Sequence, residues 1–160
     1  MLIDPASLKD GDLISLRVII EQEMRTRGIS VSVGDIGEVL AINYFNSTPG
    51  LSNLNPALHG TKNVDALSRN GDRYSIKTIL KAKKTGTVYP DTENPDRQLF
   101  EYLLVVKLAQ DYSLEGLYQF TWKQFLEVRA WDRRMNAWYA PVSKSRLSIG
   151  HCLYNKVINS

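Results

Sequence analysis

The chain has 160 residues, 43% of them hydrophobic and 23% charged, which are ordinary proportions for a globular protein and length enough to bury a core as a single domain, 1–160. No apolar run approaches the ~20 residues of a membrane span, and the opening Met-Leu-Ile-Asp-Pro lacks the basic region and apolar run of a secretory signal, so no membrane partner is expected. The one cysteine, Cys152, excludes an internal disulfide and argues against a thiolate zinc site, which fits a reducing, cytoplasmic setting.

A net charge of +3 is too mild a bias to indicate nucleic acid by itself. Its distribution says more. Between Lys62 and Lys84 the basic residues are Lys62, Arg69, Arg73, Lys77, Lys81, Lys83 and Lys84, against only Asp65 and Asp72. Such a concentration is either a solvated strand end and loop or a patch able to neutralise phosphates.

In chain order, Leu13, Leu16, Ile19, Ile20 and Met24 follow helical spacing and predict an N-terminal helix over about 11–28, closed by Gly28 and serving packing only. A second helix is expected from Ser32 or Gly34 to about Phe45, with Ile36, Val39, Leu40 and Tyr44 as its apolar stripe. Asp35 complements its N-terminus. Glu38 is a carboxylate in an otherwise small and apolar segment; read alone, it favours solvent. Residues 46–62 are rich in Asn, Ser, Thr, Pro and Gly and read as a long loop, in which His59 is polar surface.

Residues 63–80 predict a hairpin. Val64, Ala66 and Ser68 alternate with Asp65 and Leu67, Asn70-Gly71 signals a two-residue turn with positive φ at both positions, and Arg73 to Leu80 alternates again. Ser75 and Lys77 share a face opposite Tyr74 and Ile76, and pairing can bring Asp65 beside them. Residues 85–97, with Pro90 and Pro95, read as a further irregular stretch. Tyr102 to Leu108 is nearly all apolar, as a central strand buried on both faces is. Leu114 to Phe120 reads as a strand, and Thr121 can cap a helix from Trp122 to about Arg129. The C-terminal extension, 131–160, carries Trp131, Trp138 and Tyr139 but no assignable pattern.

The order helix, hairpin, central strand, strand, helix implies an α+β fold, a mixed sheet flanked by helices. If Glu38 meets Asp65 and the Ser75/Lys77 strand, two carboxylates could hold a hard divalent ion and a lysine could stabilise charge developing on a phosphodiester. Each residue has a plainer alternative. Asp65 could pair with Arg73, Lys77 could point outward, and Glu38 could face water.

The helix Gly34-Asp-Ile-Gly-Glu38, the Val64-Asp65-Ala66 strand and the strand Tyr74-Ser-Ile-Lys77-Thr78 together resemble the PD-(D/E)xK, or restriction-endonuclease-like, nuclease superfamily. The resemblance implies an αβββαβ core over about 32–130 and a Mg²⁺-dependent (or Mn²⁺-dependent) DNA endonuclease, of restriction or defence type. It implies Glu38, Asp65 and Lys77 as catalytic residues and Glu38, Asp65 and Ser75 as metal ligands. Lys62, Arg73, Lys81, Lys83 and Lys84 would hold the nucleic acid, and a homodimer or partner subunit would complete recognition. The sequence departs from the motif twice. Val64 stands where a proline is usual, and Ser75 where an acid is usual. The second departure keeps open a catalytically inactive nucleic-acid-binding or assembly subunit of the same fold.

Overall fold

The computed structural model describes residues 3–29 and 32–159. The elements are α1 (Asp10–Thr26), α2 (Val33–Ser47), β1 (Leu54–Pro56), β2 (Ala66–Ser68), β3 (Arg73–Ile79), β4 (Tyr102–Leu108), β5 (Leu114–Thr121), α3 (Trp122–Val128), β6 (Ala130–Asp132), β7 (Ala137–Tyr139), α4 (Lys144–Leu147), β8 (His151–Asn155) and α5 (Lys156–Asn159). A six-stranded sheet runs β1-β2-β3-β4-β5-β8, and β6 and β7 form a separate hairpin. All neighbours in the large sheet are antiparallel except β3 and β4, which are parallel. The fold is α+β, as the sequence order implied.

The central strand is buried on both faces, with Leu103, Leu104, Val105 and Val106 fully shielded from solvent. Alternation divides them between two cores. On one face Tyr74, Ile76, Leu104 and Val106 pack under Ala41 and Phe45 of α2. On the other, Ile79, Leu103 and Val105 pack with Phe100, Phe120, Phe125 of α3, and Val88. Thr121 caps α3 through a reciprocal pair with Gln124, which satisfies two helix-end groups at once.

The α2 helix sits unusually close to β3. A Cβ at Gly37 would overlap the Thr78 side chain, lying 2.7 Å from its Cβ, so only glycine permits this approach. The buried stripe is Gly37, Ala41 and Phe45, rotated slightly from the one predicted. Ser32 caps the helix by accepting from the Asp35 amide.

Four expectations change. The 63–80 hairpin exists, but of Asn70 and Gly71 only Gly71 has positive φ (84°); Gly71 N–H donates to Ser68 O and Ser68 N–H to Asp72 O, which makes a three-residue loop. The 46–62 loop contains an edge strand, β1, which Asn46 holds by bonding both backbone groups of Leu54, at 2.7 and 3.0 Å. The helix that an αβββαβ core places before the fourth strand is missing among the described residues, where residues 80–101 cross over irregularly. Finally, α1 buries nothing. Ile14 is 66% and Ile19 61% exposed, because the apolar residues spread around most of its circumference and no described segment covers them.

The parallel pair is fastened at its start. Arg73 donates from Nε and Nη2 to the Glu101 carboxylate at 3.0 and 2.8 Å and from its own amide at 2.6 Å, while Glu101 N–H donates to Arg73 O. This fixes the register Tyr74↔Tyr102. No helix among the described residues is long and apolar enough to cross a membrane.

Replacing Gly37 by alanine should force α2 off β3. A loss of about 2 kcal/mol or more in urea denaturation is expected, partly restored by pairing it with Thr78→Gly.

Candidate active site

The geometry starts from a place where two strands part. Ala66↔Tyr74 is the last regular β2–β3 pair in this direction, and Asp65 N–H still donates to Tyr74 O at 2.8 Å. The next donor of β3, Ile76 N–H, then meets the Asp65 carboxylate, with Oδ2 accepting at 2.6 Å, in place of a backbone carbonyl. On its other side Asp65 O accepts from Ala57 N–H at 2.9 Å. The Asp65 carboxylate thus lies in the plane of the sheet, in the gap that opens as β2 peels away. A surface pair with Arg73 is not formed, since Arg73 is committed to Glu101.

Beside that gap Asp65 meets a carboxylate of α2. Glu38 flanks the buried stripe of α2 and reaches the gap from above. Lys77 belongs to the β3 face turned away from α2. Glu38 is half-buried, and its carboxyl is pushed up to about 7, first by desolvation, then by the charges of Asp65 and Asp35; Lys77 pulls the other way. Glu38 and Asp65 therefore come together, whereas Lys77, expected beside them, projects from the opposite face of β3 and acts on Glu38 only as the weakest of these charges. A cavity of ≈ 210 Å³ opens beside the two carboxylates, lined by Asp35, Glu38, Ala57, His59, Thr61, Val64 and Asp65 among others but not by Lys77.

Ser75 stands apart. It is fully buried, its register partner is Leu103 of the second core, and its Oγ has no hydrogen-bond partner. An orphaned buried hydroxyl costs stability unless something pairs with it. It does not line the cavity.

The basic residues divide. Lys62, Lys81 and Lys83 are exposed and make no ion pair among the described residues. Lys84 is engaged with Asp132 at 2.9 Å and lies over the Tyr139 ring, and Arg73 is held by Glu101. The sequence missed Asp35 and His59 as wall residues. One read as a helix-end charge and the other as loop surface; only the folding of 57–61 against α2 brings them to Asp65.

An oxygen-only donor set of two or three carboxylates suits a hard cation that keeps several waters. Among the described residues no group of three or more His, Cys, Asp or Glu side chains stands ready to enclose a metal, so Glu38 and Asp65 would have to close around one. Comparison with known family models and with curated proteins gives no match for the chain.

Two measurements probe this arrangement. Glu38 keeps its proton to about pH 7 when folded, against 4.5 ordinarily. Its stabilising contribution is complete below the lower value and lost as pH rises through the upper. Between about pH 5 and pH 8 the protein should lose about 1–2 kcal/mol relative to Glu38→Gln, a figure discounted for partial exposure; urea melts at the two pH values read it directly. Ser75→Ala should hold or raise stability by about 1 kcal/mol in the same assay, because it removes a hydroxyl that burial leaves unpaired.

Proposed function

We propose that this chain is a metal-dependent DNA endonuclease of the restriction-endonuclease-like type, working in the cytoplasm as part of a restriction or defence system. The observation that supports the reading is the parting of β2 and β3 at Asp65, beside which a sheet carboxylate and a helix carboxylate with a raised pKa line one cavity.

Glu38 and Asp65 would hold Mg²⁺, or Mn²⁺ in its place. Once bound, the ion would polarise the phosphodiester and lower the pKa of a bound water. Asp65 is preorganised for this, because one oxygen is fixed by the Ile76 amide and the other remains for a cation. Glu38, whose carboxyl burial pushes up to about 7, would have to give up its proton to hold the ion. The Lys77 ammonium orients the attacking water and offsets negative charge growing on the phosphoryl oxygens. Lys62, Lys81 and Lys83 neutralise neighbouring phosphates, with Arg73 and Lys84 joining only if they release Glu101 and Asp132. A second copy or a partner subunit would supply the rest of the recognition surface.

Ser75 favours a second reading. A neutral side chain sealed from the cavity is a poor replacement for the motif's acid, and a chain with that change could bind nucleic acid without cutting it. Supercoiled plasmid separates the two. Cleavage should appear with Mg²⁺, vanish with EDTA, and fall by about 100-fold or more in Lys77→Ala and Asp65→Ala. Salt-sensitive binding without cleavage selects the silent subunit, and undiminished cleavage in both variants removes the site altogether.

A further inference from the structure

A second cavity lies away from the carboxylates. It measures ≈ 620 Å³ and lies between segment 89–95 and the β6–β7 hairpin. Its wall carries two exposed aromatic rings, Tyr89 (41% exposed) and Trp131 (39%), with Met135 (39%) and Lys62 beside them. The volume falls within the range of small-ligand sites, and an unpaired nucleoside fits it comfortably.

We infer that this cavity receives one unpaired nucleobase of the strand whose backbone passes the Asp65 gap. The nature of the ligand rests on the nuclease reading; the site itself rests on three further observations. The first is preorganisation. Trp131 stands edge-on to Trp138 at 4.8 Å, and the Arg129 guanidinium lies 3.8 Å over the Trp138 ring. Val88 and Trp138 exchange backbone bonds at 2.7 and 2.9 Å, which pins the hairpin to the segment bearing Tyr89. The Trp131 ring and the hairpin that carries it therefore need little ordering when a base arrives.

The second is location. Asn63, two residues before Asp65, donates from Nδ2 to Tyr89 O at 3.3 Å, and it holds a left-handed backbone (φ 60°). Gly86, on the strap leading to Tyr89, faces the Lys77 side chain, with Cδ 3.9 Å from where a Cβ would sit. Aromatic cavity and carboxylate gap are thus joined by short stretches of chain on both sides.

The third is charge. Lys62 contributes the ammonium at the cavity wall and has no ion-pair partner among the described residues. The wall's acid, Asp91, is turned to its own loop, where it accepts from the Glu93 and Asn94 amides at 2.9 and 3.0 Å and pairs with Arg97 at 3.3 Å. A phosphate beside a stacked base meets a lysine there, with the carboxylate already satisfied.

A base inside a duplex cannot present its flat face to Tyr89 or Trp131; it must first leave the stack. The inferred substrate is therefore single-stranded DNA, or a duplex with an extrahelical nucleotide, in preference to perfect duplex. Fluorescence anisotropy in EDTA, with a labelled perfect duplex and the same duplex bearing one extrahelical thymidine, tests this. The extrahelical form should bind about tenfold more tightly. Trp131→Ala and Tyr89→Ala should each erase that advantage while leaving perfect-duplex affinity unchanged, and Trp131→Phe, which keeps a ring, should retain most of it. Thermal melts confirm that the variants are folded. Equal affinity of the parent protein for both duplexes overturns the inference, as does an advantage that survives both alanine variants. Adding Mg²⁺ to the same oligonucleotides separates the two levels. Ring-independent cleavage removes the base site and keeps the nuclease; ring-dependent binding without cleavage keeps the base site on a silent subunit.

Discussion

One hydrogen bond decides the character of this sheet. Where β2 would continue its ladder with β3, the Asp65 carboxylate takes the Ile76 amide. A charge-assisted bond of this kind compensates the amide that strand separation would otherwise orphan. The strands can then diverge without leaving a buried donor unsatisfied, and Glu38 of α2 lines a cavity with Asp65 at that point.

Two other contacts bracket that point and hold it to a narrow geometry. On the α2 side, Gly37 lets the helix axis approach Thr78, and Glu38, the next residue, is carried down to the sheet margin. At the start of β3, the bidentate Arg73–Glu101 clamp ties the strand to β4 before the divergence begins. Both clamp partners are about one-third exposed, so the ion pair adds modestly to stability. Its effect is on register, which determines that residues 75 and 77, and not 74 and 76, face away from α2.

Much of this was legible in the residues themselves. The apolar run 102–108 identified a strand shielded on both faces, Thr121 announced α3, and period two placed Ser75 and Lys77 together, because each depends on local pattern. The loop type at Asn70-Gly71 was misjudged, since Asn-Gly suits both a two-residue loop with positive φ at both positions and a three-residue loop with positive φ at the glycine alone. Strand β1 was hidden because Leu54-Asn-Pro56 has no strand pattern of its own and is held by a distant side chain, Asn46. Strand β8 was hidden for a similar reason, as it completes the sheet only by lying along β5. The solvent side of α1 was invisible because periodicity reports an apolar surface and says nothing of what covers it. The burial of Ser75 was likewise beyond reach, being imposed by Leu103 and the core behind it.

The irregular path from β3 to β4 bears on how the chain reaches this state. Parallel strands cannot be joined by a tight turn, and here the connection spans residues 80–101 with no helix to shorten the search. The entropy of closing that loop must be met before the central ladder contributes anything in return. Local units such as the β2–β3 hairpin and the capped α3 can form early, while alignment of β3 on β4 waits for the Arg73–Glu101 contact to be found across the crossover. The pairing that carries the closure cost of this crossover is also the one that aligns β3, so the cavity beside Asp65 takes its shape only when the sheet does.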